Sequence, residues 1–104
     1  MDYIVVFITA PNEEEAAKMA RVLVEEKLAG CVNIVRSISS IYSWQGKTED
    51  DSEALMICKT KKSLFDALKE RVIQLHPYTV PEIVALPIIA GSEKYLDWLR
   101  EVTQ

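Results

Sequence analysis

The segment CVNIVRSISSIYSWQGKTEDDSEALMICKT, residues 31–60, reads as two long strands folded back on one tight turn. From Cys31 to Trp44 it is rich in Val, Ile, Ser, Tyr and Trp and contains neither Gly nor Pro, the make-up of an unbroken strand. Gln45-Gly46 supplies the turn, and Thr48 to Thr60 returns with its apolar half, Ala54 to Cys58, far from that turn. Neither parity of the pair is polar: Val32, Ile34 and Ile38 alternate with Cys31 and Val35, and Ala54, Met56 and Cys58 alternate with Leu55 and Ile57. Both faces of this hairpin therefore need cover. A turn centred on Gln45-Gly46 also pairs Cys31 with Thr60 and Cys58 with Asn33, which sets the two cysteines as diagonal neighbours on one face unless a bulge shifts the register.

On the N-terminal side, Tyr3 to Ala10 is almost continuously apolar, as expected of a central strand. Pro11 interrupts it, and Asn12 with Glu15 forms a capping pair that opens a helix. Ala16, Met19, Ala20, Leu23, Val24 and Leu28 then recur at helical spacing, and Gly30 is a natural stop. On the C-terminal side a second helical stripe, Leu64, Leu68, Val72 and Leu75, starts near Ser63 and is broken by His76-Pro77. Ile83 to Ile89 is a last strand, placed at an edge by Pro87, and Ser92 caps a short helix carrying Tyr95, Leu96, Leu99 and Val102. The order βαββαβ plus one helix gives an α+β, ferredoxin-like fold, a single domain over residues 1–104 with a long central hairpin. Right-handed crossovers put both main helices on one face of the sheet and leave the other bare. The two-faced hairpin then predicts that the sheet packs on further copies of the chain.

Composition narrows the functional classes. A net charge of -4 on 104 residues, without a basic block longer than Lys59, Lys61 and Lys62, disfavours binding to a nucleic-acid backbone. The longest uninterrupted apolar run, Ile4 to Ile8, is too short to span a bilayer, and the start of the chain lacks the features of a signal peptide. Cys31 and Cys58 are too few for a disulfide scaffold and suit a reducing, cytoplasmic setting.

Chemistry-bearing residues are sparse. His76, the only histidine, and Glu82 flank a loop stiffened by Pro77 and Pro81; they are two ligands of a metal site that needs about four, or else a helix end and a strand start. Cys31 and Cys58 are co-ligands for a soft ion or two core thiols. Glu49, Asp50, Asp51 and Glu53 attract divalent cations or merely solvate the hairpin end. The first strand-to-helix turn, Thr9-Ala10-Pro11-Asn12, has neither the arginine of the acylphosphatases nor the cysteine pair of the heavy-metal chaperones. No nucleophile elbow, paired-His helix or Cys-x-x-Cys is present, so no enzyme activity is expected.

Several segments together resemble the CutA divalent-cation-tolerance family: Thr9-Ala10-Pro11, Glu26 to Asn33, Ser40 to Lys47, Lys59-Thr60, His76-Pro77-Tyr78 through Pro81-Glu82-Ile83, and Tyr95-Leu96 with Trp98. The resemblance implies a ferredoxin-like homotrimer similar in build to the PII signalling proteins, with clefts between subunits. It also implies a role in tolerance of copper and other divalent cations. Some members carry a cysteine late in the first strand and a second histidine before the His-Pro pair; here those positions are Ile8 and Leu75, leaving His76, with Glu82, as the matching candidate metal ligands. Tyr42, Trp44, Lys59 and Tyr78 are the matched residues expected to line an intersubunit cleft, for a metal, a small anion or a metabolite. The family expectation is thus weak binding of Cu(2+), another divalent cation or a small ligand. The alternative is a PII-like module that senses a metabolite and acts on a partner protein.

Overall fold

A computed structural model describes residues 2–104. Four strands, β1 (Tyr3–Ala10), β2 (Cys31–Trp44), β3 (Lys47–Lys61) and β4 (Ile83–Pro87), form one sheet in the order β2-β3-β1-β4, antiparallel throughout. Helices α1 (Glu13–Glu25) and α2 (Phe65–Leu75), the latter entered through a 3-10 turn over Lys62–Leu64, fill the two crossovers, and α3 (Glu93–Val102) follows β4. This is the predicted α+β arrangement. The core lies between the helices and one sheet face: Ile4, Val6, Ile8 and Ala10 of β1 and Ala54, Met56 and Cys58 of β3 meet Met19, Leu23, Leu68 and Val72.

The hairpin turn is formed by Gln45 at φ 50° and Gly46 at φ 78°, the positive pair that a two-residue turn between right-twisted strands requires. Near the turn the pairing is as expected, Trp44 opposite Lys47 and Ile38 opposite Glu53. Between Val35 and Ile38 a bulge places two residues, Arg36 and Ser37, opposite Ala54 alone, and beyond it every pair is displaced by one. Cys31 consequently faces Lys59 rather than Thr60, and Cys58 faces Val32 rather than Asn33. A one-residue slip moves a side chain to the other face. The two cysteines lie on opposite faces of the sheet, Cys58 in the core and Cys31 outside it, and they are not neighbours as the unbulged register has them.

Four further differences concern element ends. The side chain of Asn12 accepts from the Glu15 backbone N–H at 2.9 Å as expected, but Glu15 turns away towards Lys18, 3.8 Å distant, so the cap is one-sided. Helix α1 stops at Glu25, well before Gly30, because Lys27 takes the left-handed conformation (φ 60°). The N–H groups of Lys27 and Leu28 then return to the carbonyls of Val24 and Leu23 at 3.1 and 2.9 Å, a Schellman closure. Gly30 serves a close approach instead: a Cβ there would collide with Leu99 and lie 3.0 Å from Val102 of α3. Strand β4 ends at Pro87 rather than Ile89, with the Ile88 N–H still donating to the Tyr3 carbonyl at 2.9 Å, and its edge position is as predicted. Ser92 stands at the N-cap of α3 without a side-chain bond.

The face away from α1 and α2 carries Val5, Phe7, Leu55 and Ile57, all half-buried, and Val35, Val84 and Leu86, which are exposed. At one end of this face Lys61 donates to the carbonyls of Thr103 and Gln104 at 3.3 and 2.7 Å, so the chain following α3 covers that end. The rest is open. Among the described residues no helix is long and apolar enough to cross a membrane.

Candidate functional site

The hairpin outruns the sheet. β1 pairs with β3 only from Ala54 to Lys61, so everything beyond the bulge, Ile38 to Glu53, is a two-stranded ribbon with no third strand. Alternation places Ile38, Ser40, Tyr42 and Trp44 with Glu53, Asp51, Glu49 and Lys47 on the same side as the open sheet face. At the root of the ribbon, the loop from Pro77 to Glu82 turns back towards it. Between loop and ribbon lies an open cleft of about 860 Å³, walled by Tyr42, Trp44, Glu53, Tyr78 and Glu82 and floored in part by Thr9.

Hydrogen bonds fix the rings of this cleft. Tyr42 donates its hydroxyl to Asp51 Oδ2 at 2.5 Å, and that carboxylate holds the phenol up to about 12. Tyr78 donates to Glu53 Oε2 at 2.9 Å; burial, then this bond, raises its phenol well above the ordinary value. Trp44 stands at the tip, 44% exposed. Glu53 is the contrast: only 7% of its surface is exposed. The other members of the acidic cluster, Glu49, Asp50 and Asp51, stay at the solvated hairpin end. Glu53 therefore belongs to the cleft and not to that cluster.

His76 is buried as a structural joint. As the C-cap of α2 it directs Nε2 to the Thr9 carbonyl at 2.7 Å, while Nδ1 accepts the Tyr78 N–H at 3.1 Å, and its ring packs on Tyr78 at a centroid distance of 4.7 Å. A carbonyl can only accept and a backbone N–H can only donate, so the pair of bonds assigns the neutral ring with its proton on Nε2. No lone pair is left for a metal in this geometry. The imidazole meets a carbonyl at the end of β1, not the last carbonyls of its own helix. Among the described residues no three His, Cys, Asp or Glu side chains converge as a ligand set, and Glu82 is exposed at the cleft margin without one. Among the described residues a single chain thus brings no three such ligands together.

Of the residues singled out from sequence, Tyr42, Trp44, Tyr78 and Glu82 meet in the cleft, and His76 braces it from behind. Lys59 does not. It lies opposite Val5 and Cys31, donates to the Asn33 side chain, and stands six residues along β3 from Glu53, about 20 Å at ~3.3 Å per residue. The residue that sequence reasoning missed is Glu53. Its parity with Leu55 and Ile57 marked it as a charge on an otherwise apolar stripe.

Comparison with known proteins gives concordant matches. Residues 4–102 match the family described as CutA1 divalent ion tolerance protein. The chain is 61% identical over 99 residues to the divalent-cation tolerance protein CutA of Thermus thermophilus, covering 95% of this chain and 96% of that one. It is 51% identical over 98 residues to Protein CutA of Homo sapiens, and there it spans only 55% of the relative's length against 94% of its own. Among solved structures, the divalent cation tolerance protein of Thermus thermophilus superposes with a TM-score of 0.96 at 59% identity, covering 98% of this chain and 99% of that one. CutA1 from Oryza sativa gives 0.97 at 50% identity, covering 100% and 95%.

Proposed function

Since the chain belongs to the CutA1 divalent ion tolerance family, we propose that it acts in divalent-cation tolerance as a cytoplasmic homotrimer, binding a small ligand in clefts between subunits and carrying out no catalytic turnover. The observation that carries this reading is the open sheet face continuous with the aromatic side of the ribbon, because an apolar face of that extent calls for a protein surface. Further copies of the chain would cover it and would also wall the open side of the cleft. Two free thiols, one half-buried and one in the core, accord with a reducing cytoplasm.

The cleft walls favour a small ligand over a bare metal ion, since rings and a single buried carboxylate outnumber ligating groups. In this reading tolerance to cations is exerted through a ligand-dependent change at the hairpin tips, in the manner of a PII-like module meeting a partner protein. Copper or another divalent cation held directly would require Glu82, or His76 released from its two hydrogen bonds, to be joined by ligands of a second copy.

The test is complementation. In cells deprived of their own such protein, the wild-type chain is expected to restore growth in raised Cu(II), and Trp44→Ala, still assembled by sedimentation, is expected to fail. Full rescue by Trp44→Ala would remove the cleft from the function. Calorimetric titration of metal-free protein with Cu(II) and Zn(II) addresses direct binding: a tight, saturable heat lost in Glu82→Gln would replace the small-ligand reading with a metal site.

A further inference from the structure

Glu53 is a carboxylate with 7% of its surface exposed, and no Lys, Arg or His pairs with it among the described residues. Its Oε2 accepts from Tyr78; its Oε1 has no partner among the described residues and is not sealed from the cleft that Glu53 lines. A charge removed from water without an opposite charge is unfavourable, and natural proteins rarely leave one so. The cleft has no basic side chain in its lining among the described residues, while Glu82 adds a second negative charge at its margin. An anion is disfavoured there by every charge present.

The rings add to the same preference. The Tyr42 and Tyr78 hydroxyls are both committed as donors to carboxylates, which fixes the rings and leaves their faces as the binding surface. Trp44 supplies a third, larger face in the same cleft. Aromatic faces carry negative potential and attract cations. A free carboxylate oxygen is an acceptor, so it selects a cation that donates N–H over one that is fully alkylated.

We infer that the cleft is built for the cationic N–H group of a small organic ligand, a primary ammonium or a guanidinium, with Glu53 as counter-charge and Tyr42, Trp44 and Tyr78 as walls. The inference rests on the reading of this cleft as the ligand site and names the ligand's chemical class. A small molecule is favoured over a basic side chain of another copy because the cleft opens on several polar, uncharged groups besides Glu53, including Thr9, Ser39, Ser40 and Thr79, which suit a ligand with further hydrogen-bonding atoms.

The chain has two tryptophans, so in a Trp98→Phe background Trp44 is the sole reporter of the cleft. The probes are n-butylammonium and n-butylguanidinium, with n-butanol and n-butyrate as neutral and anionic counterparts of equal length, read by Trp44 fluorescence. Saturable binding of both cations is expected, with n-butanol at least about tenfold weaker, the scale of one charge-assisted hydrogen bond. Glu53→Gln is expected to weaken the cations by about the same factor, whereas Tyr78→Phe, which keeps the ring and frees the second Glu53 oxygen, retains them. Equal or stronger binding of n-butanol or n-butyrate at Trp44 overturns the charge assignment while leaving the cleft as a ligand site. No response to any probe overturns both. Dissociation of the assembly by Glu53→Gln, with no response to the amines, also overturns the inference, because the counter-charge is then a basic side chain of a second copy.

Discussion

His76 and Cys58 illustrate how a single residue's chemistry is set by what the fold packs beside it. The sequence marks His76 as the end of a helix, and it is; its partners, the Thr9 carbonyl and the Tyr78 N–H, come from a distant strand and from the following loop, which no local spacing announces. Glu53 was obscured by its acidic neighbours for the same reason. Cys58 was legible as a core thiol from its apolar surroundings, and burial pushes it up to about 12 from 9.0. With a raised folded-state value, the thiol's contribution to stability is complete below about pH 9 and is lost as the pH rises towards 12. At pH 8 a thiol-reactive disulfide reagent is therefore expected to label half-buried Cys31 in the native protein and Cys58 only after denaturant is added. Equal rates for both in the native state would contradict the placement of Cys58.

At the level of elements, order and type were readable from periodicity, and local exceptions were not. The bulge at Arg36-Ser37 has no Gly to announce it; at the bulge Arg36 reaches Glu13 at the start of α1 at 3.2 Å, and the Ser37 and Ser52 hydroxyls meet across the hairpin at 3.3 Å. Its consequence is large, since it puts Ile38, Tyr42 and Trp44 on the open face and separates the cysteines. The end of α1 was misplaced because a lysine occupies the left-handed position where glycine was expected. Burial of both Leu23 and Leu28 around the Schellman closure holds Lys27 there. An L side chain at such a φ costs about 1–2 kcal/mol, partly offset by the greater chain entropy that glycine would lose. Lys27→Gly is accordingly expected to stabilise the fold by about 0.5–1 kcal/mol in urea or thermal unfolding, with the m-value unchanged. A destabilised variant would contradict the backbone assignment.

Seen whole, the chain is longer than its residue count demands: its radius of gyration is 14.1 Å and it measures 44 Å along its greatest extent, where a compact chain of this length has a radius of about 13 Å. The excess is the ribbon. A two-stranded hairpin in water is marginally stable, yet this one carries Tyr42, Trp44 and Ile41, the last 71% exposed, beyond the reach of β1. Behind it the open face presents Val84 and Leu86, and each such side chain contributes about 1.5–3 kcal/mol when fully buried. The two-faced apolar pattern of residues 31–60 made this need for cover visible in the sequence, while the shape of the cleft was not, because it arises only when the loop after α2 meets the ribbon. The most direct measurement is sedimentation equilibrium at micromolar concentration. The expected result is a single species of three times the 11.8 kDa chain mass, held without added metal or ligand; a stable, folded monomer of 11.8 kDa would contradict the account.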